Sequence, residues 1–179
     1  MRQFKFGFMN DFKNYFGGSL LTGTRKSARV LSTKKPIHAI LKSSGSRFFN
    51  PGNVSLEKLI HAHASKYKIK IHRISLNWSH IHMIFMIPSR EAYNAFIRTL
   101  TAAMVRGISK YVGKSLKCIF DLRPYTRILE WGRDYKNVMN YHDLNDLEAR
   151  GYIKRKKKIK VAMRTCRHDG GNVRGSGGV

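Results

Sequence analysis

Acidic residues are scarce in this 179-residue chain: 10 Asp and Glu stand against 35 Lys and Arg, a formal charge of +25 at pH 7. Such a chain repels itself at low salt and seeks polyanions, of which a nucleic-acid backbone is the commonest. Charge alone suits a ribosomal or nucleoid protein as well as an enzyme acting on nucleic acid. Cysteine is scarcer still. Cys118 and Cys166 form no CxxC and suggest neither a zinc ribbon nor a disulfide framework, which accords with a reducing cytosol. No apolar run approaches the ~20 residues needed to cross a bilayer, so no membrane partner is expected. The opening MRQFKFGFMNDFKNYF lacks the continuous apolar stretch and small-residue cleavage site of a signal peptide. The chain is expected to stay where it is made. Hydrophobic residues still reach 42%, enough for one domain with a real core.

Three zones differ in composition. Residues 1–34 form a basic, aromatic N-terminal extension. In it Phe4, Phe8, Phe12 and Phe16 recur at a spacing of four, fitting a small docking helix or a set of base-stacking platforms. Residues 35–151 carry the periodic patterns of a folded domain. Residues 152–179 make a basic, Gly-rich tail expected to be flexible.

The middle zone alternates strands and helices. PIHAILKSS reads as a first strand, and Asn50-Pro51-Gly52-Asn53 as a turn opening a helix. Leu56, Leu59, Ile60, His63 and Tyr67 then follow helical spacing. Residues 69–78 alternate but change phase, which a bulge near His72-Arg73 would repair. In the strand from His80 to Pro88, Ile81, Met83, Phe85 and Ile87 share one face; His80, His82, Ile84 and Met86 share the other. Ser89 suits the N-cap of a long helix with an apolar stripe of Ala92, Phe96, Ile97, Leu100, Ala103, Met104, Ile108 and Tyr111. Residues 124–131 suit another strand, and Asp134 can cap a last helix ending near Gly151. The order implies an α+β fold: a ferredoxin-like (split βαβ) sandwich, its antiparallel sheet carrying helices on one face, with an added C-terminal helix.

Two patterns carry chemistry. His80 and His82 put two imidazoles on one strand face, ~6–7 Å apart along it, where they can converge on a divalent ion. Tyr141 and Asn145 stand four apart on the last helix and share a face. A tyrosine hydroxyl, with a free pKa of about 10, needs help to act as a nucleophile at neutral pH. A metal-bound phosphate held in line supplies it. His142 lies about 100° round the helix from Tyr141, a neighbour with at most a proton-transfer role. Tyr125 and Tyr135 are rival nucleophiles, but neither precedes an amide on that helix by four residues.

The stretch YKIKIHRISLNWSHIHMIFMIPSREAYNAFIR, followed by FDLRPYTRILEWGRDYKNVMNYHDLNDLEARGYI, resembles the central strand pair, helix and closing segment of single-tyrosine HUH transposases. That family includes the REP-associated tyrosine transposases. The resemblance covers roughly residues 35–153. It implies that His80 and His82 are metal ligands with Asn145 as the third. It also implies that Tyr141 is the nucleophile, attacking single-stranded DNA to leave a 5′-phosphotyrosine and a 3′-hydroxyl. The added last helix would then be the catalytic one. The implied cofactor is Mg²⁺ or Mn²⁺, two imidazoles favouring Mn²⁺. The implied partner is single-stranded DNA, in hairpin or palindromic form, and the implied setting is the bacterial cytoplasm or nucleoid; both monomer and homodimer remain open. Ser79 stands where many relatives have Asn, and Asn145 where the best-known members have Gln.

Arg123, Arg127 and Arg133 flank the strand before the last helix and suit phosphate contacts. Lys154, Arg155, Lys156, Lys157 and Lys158 suit a tail that follows a nucleic-acid backbone without choosing sequence. The acids from Asp121 to Glu148 either repel DNA from the last helix or pair with surrounding Arg and Lys. Two alternatives stay in play. One is a relaxase-like or rolling-circle nickase, a class that usually carries further domains. The other is a non-catalytic, domesticated nucleic-acid-binding ferredoxin-like protein, which would carry aromatics on the open sheet face in place of histidines.

Overall fold

The computed structural model describes residues 14–21, 27–44, 48–115, 119–120 and 122–154. The elements run β1 (Tyr15–Phe16), β2 (Ile37–Lys42), α1 (Val54–Lys66), β3 (Lys70–Asn77), β4 (His80–Met86), α2 (Arg90–Val112), β5 (Tyr125–Ile128) and α3 (Arg133–Ala149). From β2 onward this is the order expected from sequence. The sheet is antiparallel with strand order β1-β5-β2-β4-β3.

Alternation assigns the two faces. Ile37, Ala39, Leu41, Ile81, Met83 and Phe85 point to one side and pack with Ile60 and Ala64 of α1 and with Phe96, Leu100 and Met104 of α2. The opposite side carries His38, Ile40, Lys42, His80, His82 and Ile84, the β2–β4 register setting Ile40 beside His82 and Lys42 beside His80. Helix α3 covers part of this second face, where Val138 meets Ile84 and Leu129 in a small separate core. The helices are therefore split between the faces, two and one.

Local chemistry sets the boundaries. Asn53 and Ser89 cap α1 and α2 by accepting from the Leu56 and Ala92 amides, both at 3.1 Å. The β3–β4 register slips between Ile71 and Arg73, leaving His72 as the bulged residue and restoring the apolar phase. Gly151, at φ +82°, closes α3, its amide and that of Tyr152 donating to Glu148 and Leu147.

Three expectations need correction. Asp134 does not cap α3; Gly132 holds that position, and Asp134 sits in the first turn, accepting from the Glu130 amide and pairing with Arg127. The α2 stripe buries Tyr93 instead of Ala92, while Tyr111, at the outer end of the helix, is 92% exposed. Phe16 lies in an edge strand, not a helix, packed beneath the Arg29 guanidinium at 4.6 Å. Phe4, Phe8 and Phe12 lie outside the described residues.

Candidate active site

Four imidazoles gather on the second sheet face. His80 and His82 project from alternate positions of β4, their ring centroids 4.7 Å apart. His38 projects from β2, and its Nε2 lies 3.2 Å from His82 Nδ1. His142 comes from α3, with its ring 5.0 Å from that of His38 and 5.3 Å from that of His82. One potential ligand atom from each of His38, His82 and His142 lies within 4.8 Å of the others.

The helix geometry explains how α3 contributes. Val138, His142 and Asn145 are its buried residues, and at 100° per residue they span a narrow stripe. Tyr141 sits on the opposite edge of that stripe from His142. It is 44% exposed, with its ring 5.8 Å from His82 and nearly perpendicular to it. The sequence places Tyr141 and Asn145 on a shared face correctly. His142, expected only as a neighbour of Tyr141, is fully buried in the imidazole cluster. The sequence reading passes over His38 altogether. The signal was present: His38 faces outward on the first strand, but only the β2–β4 pairing brings it to His82.

Burial holds the His38, His82 and His142 imidazoles down at about 3, and their neighbours add to this: His142 and Arg127 for His38, His80 and His38 for His82, His82 and Arg73 for His142. His80 is lowered too, first by burial and then by Lys42. All four rings are thus neutral near pH 7, the state that ligates metal. The His82 Nε2 and both His142 ring nitrogens are buried without a hydrogen-bond partner among the described residues. Unsatisfied buried nitrogens beside one another fit a nitrogen-liganded cation. Ser79 Oγ lies 3.1 Å from His80 Nδ1 and orients that ring.

Helix α3 is held over the sheet by the Arg73–Asp143 ion pair, at 2.6 Å, and by the Val138 contacts. The acids of this region pair with neighbours: Glu130 with Lys35, Asp134 with Arg127, and Asp146 with Arg150. Pairing is thus observed for Glu130, Asp134, Asp143 and Asp146, while Asp121 lies outside the described residues. Arg127 is accordingly engaged, whereas Arg123 and Arg133 are exposed. Tyr135 has a structural partner, its hydroxyl 2.7 Å from His72 Nδ1 and its ring against Trp131. Tyr125 lines a cleft at another corner of the sheet. Lys154 is exposed beyond α3, and Arg155, Lys156, Lys157 and Lys158 lie outside the described residues. No helix among the described residues is long and apolar enough to cross a membrane.

No protein-family model and no curated protein matches the chain. Among solved structures, a REP-associated tyrosine transposase bound to a REP hairpin superimposes with a TM-score of 0.53 at 14% identity, over 73% of this chain and 76% of that one. The chain has the fold of a REP-associated tyrosine transposase. A Deinococcus radiodurans R1 chain provisionally called a transposase aligns more loosely, with a TM-score of 0.41 and 11% identity over 68% of this chain and 98% of that one. The fold shared with the hairpin-bound transposase agrees with the α+β, ferredoxin-like arrangement expected from the sequence.

Proposed function

We propose that this chain is a metal-dependent single-stranded DNA endonuclease and transposase that cleaves and rejoins DNA through a 5′-phosphotyrosine on Tyr141. The observation that carries this reading is the exposed Tyr141 standing edge-on to His82 at the rim of a neutral, buried imidazole cluster. The proposed metal-holding residues are His80, His82 and Asn145, with His38 and His142 adding nitrogen donors beside them. A nitrogen-rich donor set suits Mn²⁺ better than Mg²⁺. A bound cation would neutralise charge at the scissile phosphate.

The protein's own part is positional. Tyr141 Oη attacks phosphorus and loses its proton, the P–O bond to the 3′ oxygen breaks, and a 3′-hydroxyl departs. Because the phosphodiester energy is kept in the tyrosyl ester, a 3′-hydroxyl can attack it and restore the strand. Arg123, Arg133 and Lys154, with the 155–158 run, are proposed to hold flanking phosphates. Arg127 would do so only by leaving Asp134.

The structural neighbour's hairpin-bound state makes hairpins the first substrates to test. Incubation with Mn²⁺ and labelled single-stranded hairpins should give a covalent adduct that survives SDS. Failure of the wild type on every substrate, or an adduct still formed by Tyr141→Phe, overturns the mechanism. A second reading, a non-catalytic nucleic-acid-binding protein, is favoured by Tyr15 and Tyr125 on an open part of the same sheet face. It expects DNA binding with no adduct.

A further inference from the structure

The second sheet face has a corner beyond the imidazole cluster. There a cleft of about 540 Å³ is walled by Tyr15, Leu20, Ile40 and Tyr125, with Lys42 and Arg123 also lining it. We propose that this cleft is a stacking subsite for one unpaired base of the DNA strand, with Lys42 and Arg123 holding the adjoining phosphates. The inference rests on the single-stranded DNA reading above and assigns that strand a path.

Four observations support it. First, position: Tyr125, Ile40 and His82 lie in one register row across β5, β2 and β4. Two interstrand steps separate Tyr125 from His82 by about 10 Å, so the cleft lies within a nucleotide or two of a strand held at the histidine centre. Lys42 is the direct cross-strand neighbour of His80. Second, chemistry: two tyrosine rings and two aliphatic side chains offer the flat apolar surface on which any base stacks.

Third, the wall is built. The chain leaves β1 through Gly17 and Gly18, both at positive φ, and enters a short 3₁₀ turn, Gly18–Leu21. The Gly18 amide donates to the Arg123 carbonyl at 2.9 Å. A Cβ on Gly17 would collide with the Pro124 carbonyl, so this approach to the Tyr125 segment requires glycine. Fourth, charge: Lys42 and Arg123 are exposed and have no acidic partner among the described residues, unlike Arg73, Arg127 and Arg150. Cations left without an acid among the described residues suit contact with phosphate.

The test uses the full chain carrying Tyr141→Phe, which binds without cleaving, and hairpins whose single-stranded flanks carry 2-aminopurine at successive positions. One flank position should be quenched by stacking. Tyr125→Leu should relieve that quenching and weaken binding by about 5- to 150-fold, the range of one base–aromatic stack, without changing the salt slope. Tyr125→Phe should retain both properties, and Lys42→Gln and Arg123→Gln should each flatten the salt slope by about 0.7. If Tyr125→Leu leaves quenching intact and affinity within about twofold while wild-type chain still forms the Tyr141 adduct, the subsite is wrong and the proposed function stands. If the chain neither binds single-stranded DNA nor forms the adduct, both fall.

Discussion

His38 Nε2 faces His82 Nδ1 at 3.2 Å across the β2–β4 pair, the two rings only 13° from parallel. Both are neutral, so one nitrogen donates to the other and His82 keeps Nε2 for another partner. His38 therefore sets the orientation and tautomer of a proposed ligand, or joins it on the ion. Either role predicts that His38→Ala weakens Mn²⁺ binding to metal-free protein by about 10- to 100-fold in calorimetry. An unchanged affinity would reduce His38 to packing.

Much of this arrangement was legible in the sequence, for definable reasons. Strict alternation in His80–Ile87 separates the imidazole face from the core face, and the phase change around His72 announces a bulge that the register contains. Caps at Asn53 and Ser89 follow from side chains that accept amide protons locally. What stayed hidden depends on partners distant in the chain. His38 reaches His82 only through pairing across 44 residues. His142 joins the cluster because α3 lies on the face opposite α1 and α2, a choice that helical periodicity alone does not make. Phe16 shows the converse, since a spacing of four suggests a helix and pairing with β5 makes it an edge strand.

The histidine cluster should make the metal-free protein sensitive to acid. His38, His82 and His142 hold about 3 in the fold against 6.5 for free imidazole. Between those values the unfolded chain binds more protons than the folded one, so stability rises with pH. The contribution is fully present above about pH 6.5 and is lost as pH falls towards 3. At pH 5 a single such histidine costs roughly 2 kcal/mol. Thermal melts of metal-free protein should show Tm falling from pH 7 to 5, with a shallower fall for His142→Phe. A flat profile would mean that the cluster opens to water.

Helix α3 rests on a small core, and its anchoring should matter more to chemistry than its exposed ion pair. Leu129 is fully buried against Val138 and Ile84, so Leu129→Ala should cost about 2–5 kcal/mol. Arg73→Ala removes a partly exposed pair and should cost under about 1 kcal/mol. Adduct formation should follow the same ranking, because Val138 and Tyr141 lie one turn apart on α3. Denaturant melts and adduct yields on both variants check this; a greater loss of yield in Arg73→Ala would show that the ion pair sets the helix position.

Gly17→Ala separates the contribution of the N-terminal segment from that of the histidine centre. The substitution meets two obstacles: φ is +98°, and the new Cβ runs into the Pro124 carbonyl backbone, which has no flexible end to give way. Strand β1 pairs Tyr15 with Arg127 and Phe16 with Thr126 at the sheet edge and buries the Phe16 ring, so displacing it should cost about 1.5–3 kcal/mol of global stability. It should remove the wall over Tyr125 while leaving the imidazole cluster and Tyr141 in place. The expected result is a weaker complex with single-stranded DNA, an unchanged Mn²⁺ affinity and an adduct yield restored at saturating DNA. Lost Mn²⁺ affinity would instead show that the edge strand supports the histidine centre itself.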